Sequence, residues 1–133
     1  MSTASLTLES RQETAEMDVT LFDLGEEEST IHCEGSMGEY GKVYATLRLK
    51  YGADRSSGTF TSQGRGVVDE NTFFSGTGVG IWSREGTKIH MTEVGHIDDG
   101  TQNLYKTILD GLTKKIVVNS IVVIVVLVIR HFW

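Results

Sequence analysis

The stretch KVYATLRLKY, Lys42–Tyr51, decides the fold class of this sequence, because apolar and mostly polar residues alternate along its whole length. Val43, Ala45, Leu47 and the two apolar residues after them form one set, and the residues between them form the other. Successive side chains of a β-strand point to opposite faces, so this alternation predicts a strand with one buried face. Residues 52–58 follow at once and are rich in Gly, Ser and Asp, which favours a turn.

Similar strands, each ending in a turn signal, are predicted on both sides of this stretch. They cover residues 17–24, 30–37, 59–68, 74–83, 87–97 and 103–109. The connections are too short for a crossover helix, so neighbouring strands are expected to run antiparallel. The sequence therefore predicts a mainly β fold, an antiparallel up-and-down meander that closes into a small barrel of seven or eight strands.

The barrel domain is expected to span residues 13–133, with residues 1–12 as an N-terminal arm. Leu6 and Leu8 alternate with polar residues, so the arm is either frayed or a first strand. Residues 9–17 also fit one or two helical turns. These alternatives stay open at the level of sequence.

The composition is that of an ordinary globular chain, with 39% hydrophobic residues, 23% charged residues and a formal net charge of −6. No basic excess is present to neutralise phosphates, which argues against a nucleic-acid partner. The single cysteine, Cys33, excludes an intramolecular disulfide and a cysteine-rich zinc site. Because the N terminus also lacks the pattern of a secretory signal, we expect a cytoplasmic protein.

Glycines are concentrated inside the predicted strands, where they need a reason because they weaken strands. Gly64 and Gly66 fall on one face of their strand, and the glycines of residues 76–80 fall on one face of the next. In a small barrel such positions are expected where strands coil or where a bulky neighbour needs space. A phosphate-binding loop at residues 76–80 is not predicted, because the G-x-G-x-x-G spacing and a following helix are missing.

The C-terminal window of residues 116–129 is apolar except for Asn119 and Ser120. As a helix it would span about 21 Å, which is too short for a hydrocarbon core of about 30 Å. Its Val and Ile favour a strand, and a strand of about 46 Å exceeds a small barrel. We therefore expect a break near Asn119-Ser120, or a projecting end that pairs with another chain. Homodimerisation through residues 116–129 is the favoured interpretation, and a membrane anchor with Phe132 and Trp133 at the interface is the alternative.

His90, Glu93 and His96 form an H-x-x-E-x-x-H pattern that would suit a metal site on a helix. On a strand, Glu93 points away from both histidines, so no metal site is predicted. The same parity places Glu93 with the apolar residues Met91 and Ile97, and so inside the barrel. A buried carboxyl is a candidate for orienting a ligand or for general acid–base catalysis, whereas a Glu bonded near the rim is the structural alternative.

The candidate ligand-binding residues are the inward Glu93 and the large side chains that could line a cavity around it: Tyr40, Tyr44, Trp82, Met91 and Tyr105. Glu93 is also the single candidate catalytic residue. No cofactor motif is recognised, and Cys33 is interpreted as a small buried residue rather than a nucleophile.

Two glycine-rich stretches, GTFTSQGRG at Gly58–Gly66 and GTGVGIW at Gly76–Trp82, resemble the strands of small bacterial β-barrel families, the allene oxide cyclase-like and lipocalin-like barrels. The resemblance covers about residues 40–110. It implies a cavity able to hold a small, mostly apolar molecule.

Three functions remain open. The leading hypothesis is non-enzymatic binding of a small hydrophobic ligand inside the barrel. The second is an enzyme of the cyclase or isomerase type that uses Glu93. The third is an interaction protein that dimerises through its C-terminal strand.

Overall fold

The computed structural model describes the backbone of residues 2–10 and 13–129, and the side chains of residues 13–121. This part of the chain is almost entirely β-structure, with one turn of 3₁₀ helix at Gly38–Tyr40. The strands are β1 (Ser2–Ser10), β2 (Ala15–Asp23), β3 (Glu28–Ser36), β4 (Lys42–Tyr51), β5 (Ser57–Asp69), β6 (Thr72–Glu85), β7 (Lys88–Ile97), β8 (Gln102–Asp110) and β9 (Lys115–Ile129).

Strands β2 to β9 form a closed antiparallel barrel of eight strands. Each strand pairs with the next along the chain, and β9 closes the barrel by pairing Lys115–Val118 with Ala15–Asp18 of β2. The predicted up-and-down barrel of seven or eight strands is therefore confirmed. The predicted strand at residues 42–51 coincides with β4, and the others differ by no more than two residues at either end.

The C-terminal strand β9 pairs with different strands along its first part and along its second part. Up to Ile121 it pairs with β8, and from Ile121 to Ile129 it pairs with β1, which lies outside the barrel. The expected break near Asn119-Ser120 is wrong, because β9 runs through both residues without interruption. Instead, β9 extends beyond the barrel. The N-terminal arm forms a strand, β1, that pairs with this extension, as one of the two alternatives for the arm predicted. Helical turns over residues 9–17 are likewise wrong where the structure describes them, because residues 15–17 begin β2.

Large side chains fill one end of the barrel, which we call the packed end. It carries the β4–β5 and β6–β7 turns. The edge of the Trp82 ring meets Tyr51 at a centroid distance of 5.7 Å, and its Nε1 donates a 3.0 Å hydrogen bond to the Lys50 carbonyl. The other large residues packed there are Leu49, Phe60, Met91 and Leu109, all buried. Such close packing leaves little space for a ligand in this half.

The opposite end, which we call the plug end, is covered by the connection between β3 and β4. Its 3₁₀ turn buries Met37 and Tyr40 inside the barrel. Gly41 follows with a φ of 71° and lies against the Val67 carbonyl, which leaves no room for a side chain. Glycine is favoured at positive φ, so Gly41 allows the chain to turn sharply back into β4. Among the described residues, no helix has the length and apolar character needed to cross a membrane.

Candidate functional site

A cavity of about 110 Å³ lies inside the barrel, between the packed end and the plug. Its wall is mostly apolar and includes Met17, Cys33, Met37, Val43, Leu47 and Ile97. A few polar side chains interrupt this wall, chiefly Ser62, Glu93 and Thr107. An apolar hollow with a small number of polar groups is the usual form of a small-molecule site.

The position of the cavity follows from the interior glycines. Most of them lie beneath a side chain from a neighbouring strand, and the clearest pairs are Glu93 over Gly78, Phe60 over Gly80 and Tyr105 over Gly95. Gly64 differs, because a methyl group there would have its nearest contact at 3.7 Å, the carbonyl oxygen of Tyr44. The Ala45 and Val43 side chains would lie 3.9 and 4.0 Å from that methyl group, which are ordinary contact distances, so no side chain crowds Gly64 and space remains above this part of β5.

Glu93 projects into the cavity from β7, which confirms that it faces the interior. Its side chain lies over Gly78 and reaches β5, where the Ser62 hydroxyl donates a hydrogen bond to Oε2. Burial raises the pKa of Glu93 above its ordinary value of 4.5, and the hydrogen bond from Ser62 opposes this shift. Burial dominates because an apolar wall solvates the charged form poorly. The neutral acid is thus favoured more than in water.

Cys33 lies on the β3 side of the same cavity. Burial, reinforced by the negative charge of Glu93, raises the pKa of the Cys33 thiol to about 12. The thiolate is the nucleophilic form of cysteine, so Cys33 is inert near neutral pH. This agrees with its interpretation as a small buried residue.

A polar cluster joins the plug to the barrel wall. Asn103 Nδ2 donates hydrogen bonds to the hydroxyl oxygens of Tyr105, at 3.0 Å, and of Tyr40, at 3.3 Å. The Tyr40 and Phe74 rings pack edge to face, with centroids 5.1 Å apart. These contacts hold the plug residue Tyr40 in place over the cavity, and they engage both tyrosines at the plug end.

The structure brings together three of the six predicted ligand-binding residues. Tyr40, Glu93 and Tyr105 line the cavity. Trp82 and Met91 point into the barrel, but they belong to the packed end and do not line the cavity.

Tyr44 requires a correction. It is 50% exposed on the outer wall, beside Arg65 of β5, and it does not line the cavity. The alternation along β4 already placed Tyr44 with the outward residues Lys42 and Thr46, so the size of its ring was a misleading criterion.

Ser62 is the polar cavity residue that sequence reasoning missed as a candidate. Its parity with Gly64 and Gly66 indicates an inward side chain, and this signal was present in the sequence. Its contact with Glu93 spans β6, because Ser62 pairs with Gly78 and Glu93 leans over that glycine. Such a contact depends on strand register and on the tilt of the barrel, which residue patterns do not specify.

The H-x-x-E-x-x-H residues are separated by the barrel wall. Glu93 faces the interior, whereas His96 is exposed outside and His90 lies 3.9 Å from the exposed Glu85. The prediction that Glu93 points away from both histidines is confirmed. Across the side chains that the structure describes, no group of three or more His, Cys, Asp or Glu residues is placed to hold a metal ion.

Comparison with protein families, with curated proteins and with solved structures finds no match for this chain.

Proposed function

We propose that this barrel binds a small, mostly apolar molecule in its interior. The observation that carries the proposal is the uncovered wall at Gly64, where the barrel keeps a hollow although its other interior glycines are filled by neighbouring side chains. Close packing is the rule inside proteins, and leaving an apolar hollow costs stability. A bound molecule would recover the contacts that the wall otherwise lacks.

The volume of the cavity limits the size of the ligand. At about 110 Å³ it is smaller than the apolar cavity of about 150 Å³ that is known to bind benzene. A molecule of about five or six non-hydrogen atoms would fit with small adjustments of the wall. For a ligand of this size we expect dissociation constants in the millimolar to micromolar range.

An enzyme of the cyclase or isomerase type is the second candidate, and the observation that favours it is the buried carboxyl of Glu93 in the cavity. General acid–base catalysis at Glu93 would be helped by a second group that exchanges protons near neutral pH. Cys33 has a pKa of about 12, and Tyr105 is bonded to Asn103. Binding without chemistry therefore has the stronger support.

The experiment that tests ligand binding is saturation-transfer NMR with methylenecyclopentane, an apolar probe of about the right size. Gly64→Val fills the cavity and is expected to abolish the saturation transfer. Thr61→Val, on the exposed face of the same strand, is the matched control and is expected to bind as the parent does. Absence of binding to the parent, or equal binding to Gly64→Val, would overturn the proposal.

We further propose that the chain forms a homodimer through β9. Beyond Ile121, the backbone of β9 pairs with β1, and no other described strand pairs with it. A ribbon of two strands is only marginally stable by itself, and an open strand edge offers hydrogen-bonding groups to another chain. Residues 121–129 of a second copy would match this edge in length.

Native mass spectrometry over a range of concentrations tests the dimer. The parent is expected to be dimeric. Val125→Pro and Val126→Pro each remove one backbone N–H, and because successive N–H groups of a strand point to opposite edges, one of the two variants loses a hydrogen bond to the partner strand and is expected to be monomeric. A parent that stays monomeric at high concentration would contradict the dimer. A chain that stays in solution only with detergent would support the membrane anchor instead. Any retained small molecule would be weighed in the same spectra.

A further inference from the structure

The two carboxyl oxygens of Glu93 differ in their hydrogen bonding. Ser62 donates to Oε2 of Glu93, whereas Oε1 has no hydrogen-bond partner among the described residues. Glu93 is also the single acidic residue on the described interior face, and no Lys, Arg or His side chain of that face opposes it. Arg65, although close in sequence to Ser62, is exposed and bonds the Gly64 carbonyl.

This arrangement favours a neutral carboxyl group over a carboxylate. A buried carboxylate needs a cation or several hydrogen-bond donors, and here one serine hydroxyl is the donor that the structure shows. The titratable groups around Glu93 in the cavity are Tyr105, its pairing partner on the adjacent strand β8, Cys33 across the barrel on β3, and Tyr40 at the plug. Each of these is neutral when protonated, so none supplies a positive charge.

A neutral carboxyl group has one O–H that can donate a hydrogen bond. When Ser62 donates to Oε2, the proton of the neutral Glu93 is carried by Oε1, for which no hydrogen bond to a described residue is found. A hydroxyl that faces a mostly apolar cavity lacks a fixed acceptor there, and a ligand that brings a carbonyl oxygen gains a hydrogen bond from it. Apart from Glu93, the charged residue among those that line the cavity is Arg65, and its guanidinium is engaged with the Gly64 carbonyl. The rest of the wall is mostly apolar and offers few partners to a second polar group on the ligand.

We propose that the ligand is a small neutral carbonyl compound, a ketone, aldehyde or ester, whose oxygen accepts the hydrogen bond from Glu93 while its hydrocarbon part fills the space above Gly64. This inference rests on the proposed function, since it names the chemical class of the molecule that the cavity holds. Ser62 acts as a positioning residue, because it holds the carboxyl group in the orientation that directs Oε1 into the cavity.

Three probes of matched size separate the carbonyl from its alternatives. Cyclopentanone offers the acceptor, methylenecyclopentane has the same shape without it, and cyclopentylamine offers a cation. We expect cyclopentanone to bind about tenfold more tightly than methylenecyclopentane at pH 5, as one buried hydrogen bond allows. This preference is expected to fall as the pH rises through the raised pKa of Glu93, because the carboxylate no longer donates.

Three variants keep the test independent of folding. Glu93→Gln retains a donor in its amide group, so the preference for cyclopentanone should persist and no longer depend on pH. Glu93→Leu has no donor, so it should bind both probes alike. Ser62→Ala should reduce the preference for cyclopentanone while binding of methylenecyclopentane stays unchanged, a difference that a merely structural role would not produce.

The outcomes distinguish the two proposals. Equal affinity for cyclopentanone and methylenecyclopentane would overturn the carbonyl inference but leave cavity binding intact. Tightest binding of cyclopentylamine, strengthening as the pH rises, would replace the carbonyl by a cation. Failure of all three probes to bind the parent would overturn the proposed function itself.

Discussion

Interior glycines of this barrel are matched to side chains that cross from neighbouring strands. Phe60 of β5 lies over Gly80 of β6, and Glu93 of β7 lies over Gly78. The covering side chain recovers the packing that glycine cannot provide, so these positions tolerate no Cβ. Gly64 is the exception that leaves space, and it therefore marks the cavity.

The contrast between covered and uncovered glycines predicts opposite effects of the same substitution. Gly64→Ala adds a methyl group at ordinary contact distances and removes the backbone freedom of glycine, so it should stabilise the fold by about 1 kcal/mol and raise Tm by about 3 °C. Gly80→Ala would overlap the Thr92 carbonyl and the Phe60 ring, and should destabilise by about 1–3 kcal/mol. Urea unfolding measures both changes. Destabilisation by Gly64→Ala would show that the hollow is not available.

Residue patterns predict which face of a strand a side chain points from better than they predict which residues it contacts. Parity along β7 correctly placed Glu93 inside the barrel, because a half-buried strand has only two faces. The partner Ser62 could not be predicted, because it lies two strands away and is reached across Gly78. Tyr44 shows the opposite error, since its aromatic character outweighed its outward parity when the cavity residues were chosen.

The barrel is closed by its shortest seam. Strands β2 and β9 pair over four residues, Ala15–Asp18 with Lys115–Val118, whereas β3 and β4 pair over nine. An ion pair between Asp18 and Lys115, 2.5 Å long, supports this seam, but both side chains are exposed and such pairs contribute little. The seam is short because β2 begins at Ala15 and β9 begins at Lys115, the partners of Val118 and Asp18.

This seam is expected to open before the rest of the barrel. The Val19 amide donates a 2.9 Å hydrogen bond to the Lys114 carbonyl at the end of the seam. We expect this amide to exchange with deuterium about tenfold or more faster than the amide of Leu47 in the centre of β4, because local openings need less free energy than global unfolding. Native-state exchange followed by NMR gives both rates. Equal protection would mean that the seam opens only when the whole barrel unfolds.

At the level of elements, the strands were predictable and the path of the last one was not. Alternation and turn residues predicted both ends of β4 correctly, because apolar residues recur at every second position in a strand with one buried face. Continuous apolar sequence in β9 carries no period, so it indicates a strand but not which neighbours cover it. That β1 pairs with its projecting part is a long-range fact that local patterns do not contain.

The interior of the barrel is filled unevenly, with one packed end and a cavity beneath the plug at the other. Aromatic and aliphatic side chains complete the packed end, while the plug end is covered by Tyr40 from a short connection. A ligand would therefore enter or leave most readily if the plug moved, since the packed end has no space to yield. Glu93 lies between these two ends, so the free-energy cost of burying its charge should lower the free energy of unfolding of the whole barrel.

The pH dependence of stability follows from the raised pKa of Glu93. Well below pH 4.5 the carboxyl group is protonated in both the folded and the unfolded chain, so it contributes no pH dependence. As the pH rises through 4.5, the unfolded chain releases the proton while the folded chain retains it, and stability falls. The fall ends once the pH exceeds the raised pKa of the folded state.

Glu93→Gln should remove this contribution, so the variant and the parent should have similar stability near pH 4, and the variant should be the more stable at pH 8. Urea unfolding at several pH values in this range measures the difference in free energy of unfolding between the two chains. The other carboxylates titrate in both chains, so their contribution cancels in this difference. Glu70→Gln, at an exposed position in the turn between β5 and β6, is the matched control and should keep the pH dependence of the parent. Parallel curves for Glu93→Gln would instead show that Glu93 titrates as if in water, and a carboxyl group so hydrated could not lie in an apolar cavity.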